Sequence, residues 1–141
     1  MKILWVSPAR DGWSIAYRLR EEGHKVVLWS PAGPENENGR GLLPELDPAA
    51  NWCDFAKKAD VVIVDANFPS RRTRRSWSPS DEVLDLQNLR HYGVPIIGPT
   101  PTTELLQNDP RYQRKLLSRV GLEVAEPTGS TMPISSTTGN D

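Results

Sequence analysis

The stretch Ala59-Asp60-Val61-Val62-Ile63-Val64-Asp65 decides the fold class of this chain. Its four consecutive β-branched residues predict a strand over 60–65, and the lack of polar alternation is typical of a parallel strand buried on both faces. Parallel strands need long crossovers, usually helices, because a tight hairpin joins only antiparallel neighbours. The chain on both sides of this stretch should therefore alternate strands with helices.

Segments of both kinds flank this strand in the order that a parallel sheet requires. Apolar runs predict further strands at 2–6, 25–29 and 94–97, and amphipathic patterns predict helices at 12–22, 49–57, 80–92, 102–107 and 111–120. Gly23 and Gly93 stand where helices should end. This alternation predicts an α/β fold that is Rossmann-like, with three layers and a mainly parallel sheet of four or five strands.

Composition is typical of a small globular protein. The chain has 141 residues, and its net charge of −1 excludes a bulk polycation that binds nucleic acid by charge alone. The apolar run at 61–64 is far short of the ~20 residues that a membrane span needs. The opening run at 1–6 is too short for a signal-peptide core. With Cys53 as its single cysteine, the chain is expected to be cytoplasmic, without membrane contact.

The composition changes near the carboxyl end. Residues 127–141 are rich in Ser, Thr, Gly and Pro, and Met132 and Ile134 are their only large apolar side chains. Such a segment cannot bury a core, so we expect one domain over 1–126 and a linker or disordered tail over 127–141. This ending is compatible with a fragment of a longer protein.

The loops that follow the predicted strands should meet at one edge of the sheet. In open parallel sheets, ligands bind at the carboxyl ends of the strands. Amides at the start of the first helix can hold an anion, and a carboxylate at a strand end can bind hydroxyls or amines. The candidate substrate-binding residues are Arg10, Asp11, Gly12, Asp65, Asn67, Gly98, Pro99 and Thr100.

The same loops also have a structural interpretation. Asp11 can cap the first helix, Asp65 can be a solvated cap, and Thr102 can cap the helix after the fourth strand. Only Gly12 remains of a G-x-G-x-x-G pattern, and Trp29-Ser30-Pro31 stands where an acidic residue should follow the second strand. A small nucleotide-binding protein that acts alone is therefore not favoured.

A dense basic run precedes Trp77. Guanidinium groups pair with phosphate in bidentate fashion, so the run can clamp a phosphate. It can also contact a protein or nucleic-acid partner together with Trp13 and Trp77. The other interpretation is a solvated loop. The arginines of the run are Arg71, Arg72, Arg74 and Arg75. No metal site is predicted, because the chain offers one cysteine and two histidines.

Several motifs resemble one enzyme family over residues 1–126. The segment Gly93-Val94-Pro95-Ile96-Ile97-Gly98-Pro99-Thr100 is similar to a "G-I-P-V-F-G-P-[ST]" strand and turn, and Glu104-Leu105-Leu106 to the helix after it. Arg119-Val120-Gly121-Leu122 matches "R-x-G-I-P", with Glu123 in place of the proline. Ala59–Val64 is similar to an "A-D-L-V-V-V-G" strand. The chain thus resembles phosphoribosylamine–glycine ligase (glycinamide ribonucleotide synthetase), an ATP-grasp family.

The chain also departs from that family. Its "G-G-R-E-H" becomes Ala9-Arg10-Asp11-Gly12-Trp13, and "G-P-E-x-P-L" becomes Asp65-Ala66-Asn67-Phe68-Pro69. Asn108-Asp109-Pro110-Arg111 stands where the family usually has a lysine. These departures indicate a divergent relative, such as the ligase-like ATP-grasp proteins of some phages, rather than the enzyme of purine biosynthesis itself.

The resemblance implies the pre-ATP-grasp domain of a carboxylate–amine ligase. Such ligases activate a carboxylate as an acyl phosphate, which an amine then attacks. Their ATP and magnesium ligands lie in later subdomains, so no cofactor is expected in this chain and no catalysis by it alone. The implied partners are a small-molecule substrate, of which a sugar phosphate is one candidate, and an ATP-grasp half in the same or another chain.

Two further possibilities remain open. The chain can be a non-enzymatic binding or assembly module that keeps the fold and uses Trp13, Trp77 and the arginine run as its contacts. A homodimer can form through an uncovered edge of the sheet. Nucleic acid is not favoured as a partner.

Overall fold

The structure, a computed structural model, describes residues 1–31, 37–68, 71–72, 77–78 and 80–122. The strands in this part of the chain are β1 (Lys2–Val6), β2 (Lys25–Trp29), β3 (Val61–Val64), β4 (Arg71–Arg72), β5 (Trp77–Ser78) and β6 (Ile96–Ile97). The helices are α1 (Trp13–Glu21), α2 (Trp52–Ala56), α3 (Asp81–His91), α4 (Pro101–Asn108) and α5 (Pro110–Arg119). The linker or tail predicted at 127–141 lies outside the described residues.

The main sheet has four parallel strands in the order β2-β1-β3-β6, and β4 pairs with β5 in a separate antiparallel ribbon. The predicted α/β fold with a parallel sheet is therefore confirmed. The chain moves outward from β1 to β2 and then returns to β3 on the other side of β1. The crevice that such a reversal creates lies between the carboxyl ends of β1 and β3.

Helices cover both faces of the sheet, which gives the three layers expected. The face under α2 and α3 holds the larger core, which includes Leu4, Val6, Trp52, Val83 and Leu86. The face under α1 holds a second core of Ile3, Trp5, Ala16, Val26, Leu28 and Leu43. β1 supplies both cores because successive side chains of a strand point to opposite faces. In the described part of the chain, no helix is long and apolar enough to cross a membrane.

The helix ends agree with the sequence in part. Gly23 and Gly93 end α1 and α3 as predicted, with φ angles of 92° and 82° that L side chains rarely adopt. The prediction that Asp11 caps α1 is wrong, because the N-cap is Gly12, which has no side chain to donate or accept. The prediction for Thr102 is also wrong. Thr100 caps α4, since its side chain accepts the amide of Thr103.

The fourth parallel strand is shorter than predicted. The sequence suggests 94–97, but β6 holds only Ile96 and Ile97. Pro95 has no N–H to donate to a ladder, although its carbonyl accepts the amide of Val62 at 2.9 Å. The short strand places Gly98 and the loop after it at the carboxyl edge of the sheet.

Candidate functional site

The carboxyl edge is organised around Asp65, the first residue after β3. Its Oδ2 accepts the amide of Gly12 at 2.9 Å and the indole Nε1 of Trp5 at 2.8 Å. A Cβ on Gly12 would lie 2.2 Å from this oxygen, so the loop can approach Asp65 only with glycine there. One oxygen of Asp65 thus holds the β1–α1 loop in place.

Asp65 Oδ1 and Ser7 Oγ, both at this edge, are buried without a hydrogen-bond partner. They belong to neighbouring strands, because Val6 and Val64, the residues just before them, are paired in register. Leaving such an atom without a partner costs about 1–3 kcal/mol. Both atoms have almost no accessible surface, so a ligand could hydrogen-bond to them and recover that cost only after the loops around them moved. Ser7 is not among the residues predicted to bind, although its position directly after β1 was the available signal.

Arg10 is 2% exposed and is already paired. Its Nη1 and Nη2 donate to the Glu45 carboxylate at 3.0 and 2.7 Å, and its Nε donates to the Asn38 carbonyl at 3.0 Å. Because of this hydrogen-bonded pair, the pKa of Glu45 is lowered and that of Arg10 is raised. An anionic substrate would have to displace Glu45 before it could use this guanidinium.

The loop after β6 is fixed by α3. The two terminal nitrogens of Arg90 donate to the carbonyls of Pro99 and Gly98, each at 2.9 Å. Gly98 also lies close to β3, since a Cβ there would be 2.7 Å from Cβ of Val64. The structure therefore brings the fourth loop to the same edge as Asp65, with Thr100 engaged as the helix cap.

Two of the candidate substrate-binding residues take no part in these contacts. Asp11 is exposed and Asn67 is half-buried, and neither is a partner in the hydrogen bonds that hold these loops. Their predicted roles in binding stay predictions, as do those of the other candidates at this edge.

The basic run falls largely outside the described residues. Arg71 and Arg72 form β4, whose partners in β5 are Ser78 and Trp77. Arg74 and Arg75 are not described, so a phosphate clamp or a partner surface stays a prediction.

Trp13, the other aromatic proposed as a contact, is half-buried. A Cβ on Gly39 would lie 2.5 Å from its ring, so the backbone of Gly39 lies against the indole. Part of the Trp13 surface that a partner would need is therefore already covered by Gly39.

Metal-ligating and thiol side chains can be located in the described part of the chain. No group of three or more His, Cys, Asp or Glu side chains in the described residues could hold a metal ion. Burial is the main cause that raises the pKa of Cys53 to about 11, so the thiol stays protonated near neutral pH. It packs against the larger core.

Comparison with known proteins gives one structural likeness. No family model matches the chain, and no curated protein matches it at a significant level. The chain is similar to the solved structure of N5-carboxyaminoimidazole ribonucleotide synthetase from Thermotoga maritima, with a TM-score of 0.63 and 22% sequence identity. The match covers 89% of this chain and 32% of that one. The chain therefore has the fold of part of a ribonucleotide synthetase and spans about a third of its length.

Proposed function

We propose that this chain is the N-terminal, substrate-binding domain of an ATP-dependent carboxylate–amine ligase of the ATP-grasp type, and that it lacks the ATP-binding half. The likeness to a ribonucleotide synthetase over 89% of this chain, but only 32% of the other, carries the proposal. The motifs at Gly93–Thr100 and Arg119–Leu122 support it, because they resemble a second ribonucleotide synthetase. Since the two enzymes differ, the proposal concerns the reaction class and not one substrate pair.

In this proposal the chain binds and orients one substrate at its carboxyl edge. Asp65 Oδ1 accepts a hydrogen bond from a hydroxyl or amine of the ligand, and Ser7 Oγ donates or accepts a second. The positive end of the α1 dipole lies beside them and favours an anionic group such as a phosphate. The proposal assigns ATP and magnesium, which activate the carboxylate, to the other half.

Binding can be tested on the isolated chain with ribose 5-phosphate as the probe. We expect saturable shifts of backbone amide NMR signals at Gly12, Asp65 and Gly98–Thr100. Ser7→Ala should weaken binding several-fold without loss of stability, because the Ser7 hydroxyl has no partner to lose. Ser118→Ala, on the exposed side of α5, is the matched control and should bind as the wild type does. Absence of saturable binding, or shifts confined to other surfaces, would contradict the assignment of the site.

Catalysis requires the partner half, which gives a separate test. We expect the native gene product to be about three times as long as this chain, or to copurify with an ATP-binding chain. That whole assembly should release ADP and phosphate only when a carboxylate and an amine substrate are both present. A native product of 141 residues with no ATP-binding partner would refute the ligase proposal and favour a binding module.

A further inference from the structure

A second cleft opens at the amino edge of the sheet, opposite the loops of the candidate site. Its floor is formed by the first residues of β1 and β2, where Lys2 pairs with Lys25 and Leu4 pairs with Val27. These residues share the face that α2 and α3 cover, because alternate residues of a strand point the same way. α2 is only five residues long, and its carboxyl end borders the cleft without closing it.

The inside of the cleft is apolar. Phe55 on α2 and Ala59 after it line the side opposite Leu4 and Val27. Phe55 keeps 44% of its surface exposed, which is high for an aromatic side chain beside a core. The cleft has a volume of about 260 Å³. Sites for small molecules usually have about 300–1,000 Å³, so this one suits a ligand smaller than a nucleotide.

The rim of the cleft is cationic. Lys2 and Lys25 are neighbours on adjacent strands, and like charges in that position destabilise a sheet. Lys58 also lines the cleft, on the side of α2, and its charged end is exposed. None of the three forms an ion pair with a carboxylate of the described residues, whereas Lys57 pairs with Asp54 at 3.5 Å. The Asp60 carboxylate also lies at this end of β1 and accepts the Lys2 amide at 2.6 Å. Three lysines and one carboxylate are thus found at this end of the cleft.

We propose that this cleft binds a small amphiphilic carboxylate. The apolar body of the ligand lies against Leu4, Val27 and Phe55, and its carboxylate lies among the three lysines. An apolar ligand without charge would leave the repulsion between Lys2 and Lys25 in place. A compact, fully polar anion would gain nothing from the apolar floor. Both features together therefore select a ligand with one anionic end and one apolar end, whatever the carboxyl edge binds.

The test titrates the full chain with octanoate and follows backbone amide signals by NMR. We expect saturable shifts at the ends of β1, β2 and α2. Octylamine has the same tail with the opposite charge and should not bind. Butyrate should bind more weakly than octanoate because it covers less of the apolar floor.

Charge-reversal variants supply the matched control. Lys58→Glu should weaken octanoate binding about tenfold, and Lys57→Glu should leave it unchanged, since Lys57 does not line the cleft. Both lysines are exposed, so both variants should fold, and thermal unfolding checks this. The proposal is overturned if octanoate does not saturate, if octylamine binds equally well, or if the two variants lose the same affinity.

Discussion

Asp65 and Gly12 show how much one residue determines at the carboxyl edge. They are 53 residues apart in the chain, yet the Gly12 amide donates to the Asp65 carboxylate at 2.9 Å. A methyl group at position 12 would overlap Asp65, so the loop or the carboxylate must move away. We expect Gly12→Ala to lower the free energy of unfolding by about 1–3 kcal/mol, measured by urea denaturation.

Ser14→Ala is the matched control for this change. Ser14 is exposed in the first turn of the same helix, so its loss should alter stability by no more than about 0.5 kcal/mol. Equal stability of the Gly12 and Ser14 variants would mean that the loop does not need its close contact with Asp65. Weaker binding of ribose 5-phosphate by Gly12→Ala would show that the same contact positions the site.

Glu104 should make the stability of the fold depend on pH. The residue is fully buried, its Oε2 accepts the amide of Ser80 at 3.1 Å, and its Oε1 has no partner. Burial is the main cause that raises its pKa above the ordinary value of 4.5. The folded protein therefore holds this proton more tightly than the unfolded chain does. As the pH rises above about 4.5, the unfolded chain ionises first, so stability falls until the folded pKa is passed.

Glu104→Gln should remove that loss. Relative to the wild type, we expect the stability of this variant to increase between pH 4.5 and neutral pH, with about 1.4 kcal/mol for each unit by which the pKa is raised. Unfolding in urea at several pH values measures the difference. Glu21→Gln, on the exposed face of α1, should show no comparable trend. A Glu104→Gln difference that is constant with pH would mean that the carboxyl titrates normally.

At the scale of elements, the start of α4 depends on two threonines. Thr100 accepts the Thr103 amide at 3.1 Å, and Thr103 in turn accepts the Thr100 amide at 2.8 Å. Thr100→Ala should lower the free energy of unfolding by about 1 kcal/mol. Thr102→Ala changes an exposed residue of the same turn and should have little effect. Denaturant unfolding measures both losses. If Thr102→Ala lowered the stability more than Thr100→Ala, Thr102 would be the cap, as the sequence suggests.

The elements and the loops differ in how well the sequence predicts them. β1 and β2 occupy the residues predicted, because apolar runs and turn glycines are local signals. Local signals fail at the N-caps of α1 and α4, which the sequence predicts wrongly. Several threonines or acidic residues near a helix start can each act as the N-cap, and the sequence does not say which one does. The side-chain contacts that hold these loops join residues far apart in the chain. Trp5 and Asp65 are 60 residues apart, and Arg10 and Glu45 are 35 apart. No local pattern indicates such pairs, so the sequence could predict that these loops meet at one edge but not the contacts that hold them there.

At the scale of the molecule, the Arg10–Glu45 pair joins the β1–α1 loop to the outer side of the sheet. Glu45 lies on a segment that extends the edge of β2, where Leu46 and Leu28 share a backbone hydrogen bond of 2.8 Å. The φ angle of Arg10 is 60°, a left-handed conformation that costs about 1–2 kcal/mol for a residue other than glycine. The pair must offset that strain as well as the burial of a charge.

Glu45→Gln should therefore destabilise the whole domain, since it leaves the nearly buried guanidinium without a counter-charge. We expect a loss of about 2–4 kcal/mol near neutral pH, measured by urea unfolding. The pKa of Glu45 is lowered below 4.5, so its contribution is complete above that value and disappears as the pH falls through the folded pKa. The difference between wild type and variant should shrink in acid, a trend opposite in sign to that of Glu104. A loss that does not change with pH would show that packing, and not charge, holds this loop to the sheet.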